Sequence, residues 1–146
     1  MTEVTPHIPL SQDAALVVAL AGTAVPFSHS AEDEAERWLR ALRLHGQVGA
    51  NLQALGVGES PLTTSPEHNH EAAPGTPPFG RDVVDRVAGR AGELARARDA
   101  DTVSTADLLF AVLDVYGQLF ERALYLRGTS REELVERMAA STRPGA

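Results

Sequence analysis

The stretch "VSTADLLFAVLDVYGQLFERALYLRGTSREELVERM", residues 103–138, decides the fold. Its apolar residues recur at helical spacing. Leu108, Leu109, Val112 and Leu113 share one stripe, and Leu119, Phe120, Ala123 and Leu124 share the next. Ser104 or Thr105 stands where an N-cap belongs, because a side-chain oxygen there satisfies a free N–H of the first turn. Gly117 marks a corner and Gly128 ends the second helix. A third helix opens on a capping box, either Thr129 with Glu132 or Ser130 with Glu133.

The same periodicity covers most of the chain on the N-terminal side of this stretch. "VVDRVAGRAGEL" places Val83, Val84, Val87, Ala91 and Leu94 on the stripe of a helix expected to begin near Phe79 and to end at "ARARDADT". In the first half, one helix is expected from Ser11 to just before Pro26, carrying Ala14, Leu16, Val17, Val18 and Leu20. A second opens at Ser30, with Asp33 three residues on, and buries Trp38, Leu39, Leu42 and Leu44. His45-Gly46 breaks it. A short third helix carries Val48, Leu52 and Leu55, with Gly56 as its C′ residue. No run alternates long enough to be a strand.

Between the halves lies "GESPLTTSPEHNHEAAPGTPP", residues 58–78, with five prolines in 21 residues. It has too little apolar content to bury a core and reads as a flexible linker. The "EHNHE" at 67–71 falls inside it. His68 and His70 are too loosely held there to build a catalytic metal site, which needs three fixed and supported ligands. No metal and no cofactor is expected.

Composition narrows the function. The chain has 146 residues, 43% of them hydrophobic, enough for one packed domain spanning 1–146. Its longest apolar run, "AALVVALAG" from Ala14, falls well short of the roughly 18–20 residues that span a bilayer. It also lacks the basic flank of a signal peptide. Zero cysteines exclude disulfides and thiolate zinc sites, which fits the cytoplasm. The net charge of −7 disfavours nucleic acid, whose binders cluster positive charge. All 13 basic residues are arginine, a bias typical of a GC-rich genome. No nucleophile motif, Gly-rich phosphate loop or framed carboxylate pair appears, so no enzyme and no catalytic residue is expected.

The two halves match in order. "LSQDAALVV" from Leu10 parallels "FGRDVVDRV" from Phe79, and "AERWLRAL" parallels "STADLLFAVL". "GQVGANLQALGV" parallels "GQLFERALYLRGT". On these segments the chain resembles the Clp amino-terminal repeat domain found at the front of Clp unfoldases such as ClpC and ClpA. The resemblance implies an all-α fold of about seven or eight helices, with repeat 1 at 10–57, the linker at 58–78 and repeat 2 at 79–140. It further implies a module that binds peptides or proteins of the Clp system: substrate, adaptor or unfoldase. Without a G-x-x-x-x-G-K-[ST] sequence, the chain is expected to stand alone, without an ATPase ring. It would then act as an adaptor, as a decoy for the unfoldase's ligands, or as a structural partner of a Clp assembly.

In some members each repeat binds phosphoarginine at a Gly-Thr-Glu-His motif, which opens the second helix of the repeat. The helix N-terminus receives the phosphate and the glutamate receives the guanidinium. Here Ser104-Thr105 match Gly-Thr, but Ala106 replaces the glutamate and Asp107 follows one position, about 100°, away. In the first half, alignment on Trp38-Leu39 gives Glu36 the role, and alignment on Gly56 gives it to Glu34. The resemblance also implies a target of cyclic-peptide antibiotics, which in actinobacteria act on this domain at a surface that includes the aromatic residue opening each repeat. Phe79 keeps that aromatic and Leu10 does not.

Overall fold

A computed structural model of the chain describes residues 8–57 and 77–141. The "EHNHE" stretch and residues 58–76 of the expected linker lie outside the described residues. Within those described there are seven α-helices and no strand, so the protein is all-α. We label them α1 (Gln12–Ala24), α2 (Ala31–Leu44), α3 (Gly46–Ala54), α4 (Val83–Ala97), α5 (Thr105–Tyr116), α6 (Gln118–Leu126) and α7 (Arg131–Ser141). A 3₁₀ turn, Val25–Phe27, joins α1 to α2. No described helix is long and apolar enough to cross a membrane.

Side chains start these helices where the cap residues stand. Ser11 Oγ accepts from Ala14 N–H at 3.1 Å and opens α1. Ser30 Oγ accepts from Asp33 N–H at 3.1 Å and opens α2; the Asp33 carboxylate in turn accepts from His29 N–H at 3.2 Å. At α5, Ser104 and Asp107 form the complete reciprocal box. Ser130 Oγ accepts from Glu133 N–H at 3.1 Å and opens α7, so the second of the two readings of that cap is the one adopted.

The short helices end on glycine. After α3, Val57 N–H donates to Leu52 O and Gly56 N–H to Gln53 O, with Gly56 at φ +89°. After α6, Thr129 N–H donates to Leu124 O and Gly128 N–H to Tyr125 O, again with φ +89°. Both are Schellman corners, which need a left-handed residue that glycine adopts without a Cβ penalty.

Two local expectations change. α4 starts at Val83 rather than near Phe79. Pro77 and Pro78 precede Phe79, Gly80 turns at φ +114°, and the Phe79 N–H is spent on a carboxylate from another helix. Leu44 is 46% exposed rather than buried. Two helical positions lie about 200° apart, so once Leu42 faces the core Leu44 faces away.

The core is one cluster. α2 and α5 are central, with α1, α3 and α6 against α2 and with α4, α3 and α6 against α5. Trp38, Phe120, Leu39, Leu42, Leu52, Leu108, Leu109 and Leu124 fill the space between them. α7 lies on α3 and inserts Leu134 and Met138. Near the chain's start, Leu10 and Val103 form a parallel bridge: Ser11 N–H donates to Val103 O and Val103 N–H to Pro9 O, each at 2.9 Å. The segment before α1 is thereby tied to the segment before α5.

Candidate functional site

The structure gathers the candidate residues into three groups. The first centres on Glu34. It sits in the first turn of α2, yet it is only 1% exposed. Its two carboxylate oxygens accept from Phe79 N–H at 3.1 and 3.2 Å, and one also accepts from the Tyr116 hydroxyl at 3.0 Å. Tyr116 in turn accepts from Trp38 Nε1–H at 3.2 Å. The Phe79 ring stacks on Tyr116 with centroids 4.8 Å apart, and the Arg86 guanidinium lies 5.7 Å from the Phe79 centroid. Burial, with the Glu34 carboxylate close by, pushes the Tyr116 hydroxyl well above the ordinary tyrosine range. Glu34 and Phe79 therefore meet in a pin that fastens the chain entering α4 to α2 and α5.

The second group surrounds the N-terminus of α5. Asp107 is buried and accepts from Ser104 N–H at 2.9 Å. Arg98, at the end of α4, forks onto it through Nε at 3.0 Å and Nη2 at 2.6 Å. Burial works to raise the Asp107 carboxyl, but the Arg98 guanidinium and the Ser104 N–H outweigh it and hold it below the usual carboxylate value. Thr105 is buried too, and its hydroxyl accepts from Val48 N–H at 3.5 Å across to α3. Leu10 adjoins this group through its bridge to Val103. The third group is the ion pair of Glu36 with Arg127, which joins α2 to the end of α6.

All seven candidates thus hold the fold together: Leu10, Glu34, Glu36, Phe79, Ser104, Thr105 and Asp107. Among the described residues, no cluster of His, Cys, Asp or Glu is arranged to hold a metal ion.

The caps supply a register that neither helix alignment used. Ser30 and Ser104 cap α2 and α5 alike, each Oγ accepting from the N–H of an aspartate three residues on, although Asp33 then accepts from His29 N–H where Asp107 accepts from Ser104 N–H. They pair Ala31 with Thr105, Glu32 with Ala106 and Glu34 with Leu108. Glu34 is buried because it occupies a core position, the one Leu108 fills in α5. Glu32, half-buried in the first turn of α2, is the carboxylate at the position that Ala106 lacks. That signal was present in the sequence as two Ser-x-x-Asp motifs. Tyr116 and Arg98, by contrast, carry no local signal; each acquires its role from a helix remote in sequence.

No protein-family model matches the chain, and no curated protein matches it at a significant level.

Proposed function

We propose that this protein is a non-enzymatic, cytoplasmic module that binds peptide or protein ligands of the Clp system, built as two repeats of one helical unit. The observation that carries this reading is the duplicated path from cap to corner. Each half opens a long helix on Ser-x-x-Asp and ends a short helix on a Gly Schellman corner. The burial pattern of residues 51–57 is repeated, residue for residue, at 123–129. The entry segments also cross over, Leu10 to the front of α5 and Phe79 to the front of α2. These features support the resemblance to the Clp amino-terminal repeat domain.

On this reading the phosphoarginine site is kept in the first half alone. Glu32 stands half-buried in the first turn of α2, where the helix dipole favours an anion and a carboxylate can take the guanidinium, although Ala31 replaces the motif's threonine. In the second half Ala106 offers no carboxylate, and Asp107 is committed to Arg98. NMR titration with phosphoarginine, using arginine as the control, tests this. Saturable shifts confined to residues 30–37 are expected. Shifts at 104–107, or none at millimolar ligand, overturn it. A decoy for unfoldase ligands, cyclic peptides at Phe79 included, would use the same binding surfaces.

A second reading, a structural partner of a Clp assembly, draws on Phe27, Tyr125 and Leu126, which are 70%, 75% and 60% exposed. Co-elution with an intact Clp unfoldase that is lost on Tyr125→Ser supports it; co-elution unchanged by that substitution removes it.

A further inference from the structure

The last helix borders a groove that none of the site residues uses. Glu132, Val135 and Glu136 fall at i, i+3 and i+4 on α7, so they share one face, and that face meets Phe110 of α5. With Arg131 they line a depression of about 390 Å³, the size of a site for one or two side chains. Phe110 and Val135 are half-buried and provide an apolar floor. Arg131 is already paired with Glu121 at 3.3 Å. Glu132 and Glu136 have no ion-pair partner among the described residues. Two like charges four apart on a helix repel one another, a cost that a cation between them relieves. A second groove, of about 410 Å³, runs along the other side of α7 past Leu55, but there Arg137 stands beside Glu133 and Glu136. The charge is therefore least compensated on the Phe110 side.

We infer that the groove between α5 and α7 docks a basic, apolar segment of a partner protein. An arginine or lysine lays its aliphatic stem along Phe110 and Val135 and its charged head between Glu132 and Glu136. The partner's flanking apolar side chain fills the rest of the floor. The net charge of −7 draws such a segment in, and the paired carboxylates fix where its cation rests. This inference rests on the binding-module reading only in taking the partner to be a protein.

The test is an NMR titration of the full chain with the peptide acetyl-Leu-Arg-Leu-Arg-Leu-amide, using its Leu-Glu-Leu-Glu-Leu counterpart as the control. Saturable shifts at Phe110, Glu132, Val135 and Glu136 are expected from the basic peptide alone. Its dissociation constant should rise about threefold for each carboxylate removed in Glu132→Gln and Glu136→Gln, the scale of an exposed ion pair. Phe110→Ala, checked for an unchanged amide spectrum elsewhere, should weaken the same peptide at any salt concentration. Equal binding of the acidic peptide, shifts away from α5 and α7, or no saturation overturns the groove. If phosphoarginine still shifts residues 30–37 in that case, only the groove fails. If neither ligand binds, the binding-module reading fails with it.

Discussion

Glu34, on α2, joins the segment before α4 to the end of α5. It brings a carboxylate into the interior without an ion-pair partner among the described residues and satisfies it with a backbone N–H and a hydroxyl. Glu34→Ala would strand both donors in a dry site and should cost about 2–4 kcal/mol. Glu34→Gln keeps one acceptor oxygen and should cost less. Urea unfolding followed by the fluorescence of the single tryptophan, Trp38, reads both variants. Tyr116 predicts behaviour in alkali. Its folded hydroxyl holds the proton to higher pH than the unfolded chain does, so stability should fall once pH exceeds the unfolded value of about 10. Tyr116→Phe should flatten that decline. Asp107 acts at the other end of the scale. Its folded value is depressed, so its contribution is present above the unfolded value of about 3.9 and is lost as pH falls below it. Asp107→Asn should weaken the acid dependence in a thermal-melt series and, with Arg98 facing solvent, lower stability at neutral pH by about 1 kcal/mol.

At the scale of elements, the helices are set apart by glycines that differ in what surrounds them. Gly46 opens α3 at φ +79°, and a Cβ there would lie 2.7 Å from the Thr105 side chain. Gly128 closes α6 at φ +89° with open space around it. Gly128→Ala should therefore cost only the backbone term, about 1 kcal/mol, and Gly46→Ala should cost clearly more, because overpacking adds to it. Paired thermal melts decide this; equal losses would mean that α3 gives way without penalty. Gly49 belongs with Gly46, since a Cβ would meet the Arg43 carbonyl oxygen at 2.7 Å. The close crossing of α3 over the end of α2 depends on both.

At the scale of the molecule, one hydrophobic cluster takes residues from every helix and from both sides of the 58–76 segment. Neither half holds a separate core, and the Phe79 pin and the Leu10–Val103 bridge add cross-ties. Unfolding should therefore be a single transition. Far-UV circular dichroism, which reports all the helices, and Trp38 fluorescence, which reports the α2–α5 contact, should give the same midpoint. Two separated midpoints would show that the halves fold independently.

The sequence by itself determined that the protein is all-α and, within a few residues, where its helices begin and end. Those features are local: apolar periodicity, Ser-x-x-Asp caps, and glycines placed where a left-handed turn must follow. It also carries a Ser-x-x-Asp motif and a glycine after a short helix in each half. The tertiary structure alone decided what the charged residues do. Glu34 reads as one more carboxylate in an acidic first turn, and only the docking of Tyr116 and Phe79 makes it an interior pin. Asp107 becomes an ion-pair partner only because the end of α4 places Arg98 over it. A side chain's partner is set by which helices meet, and burial, which fixes the electrostatic value of that contact, comes from the packed whole rather than from neighbours in the chain.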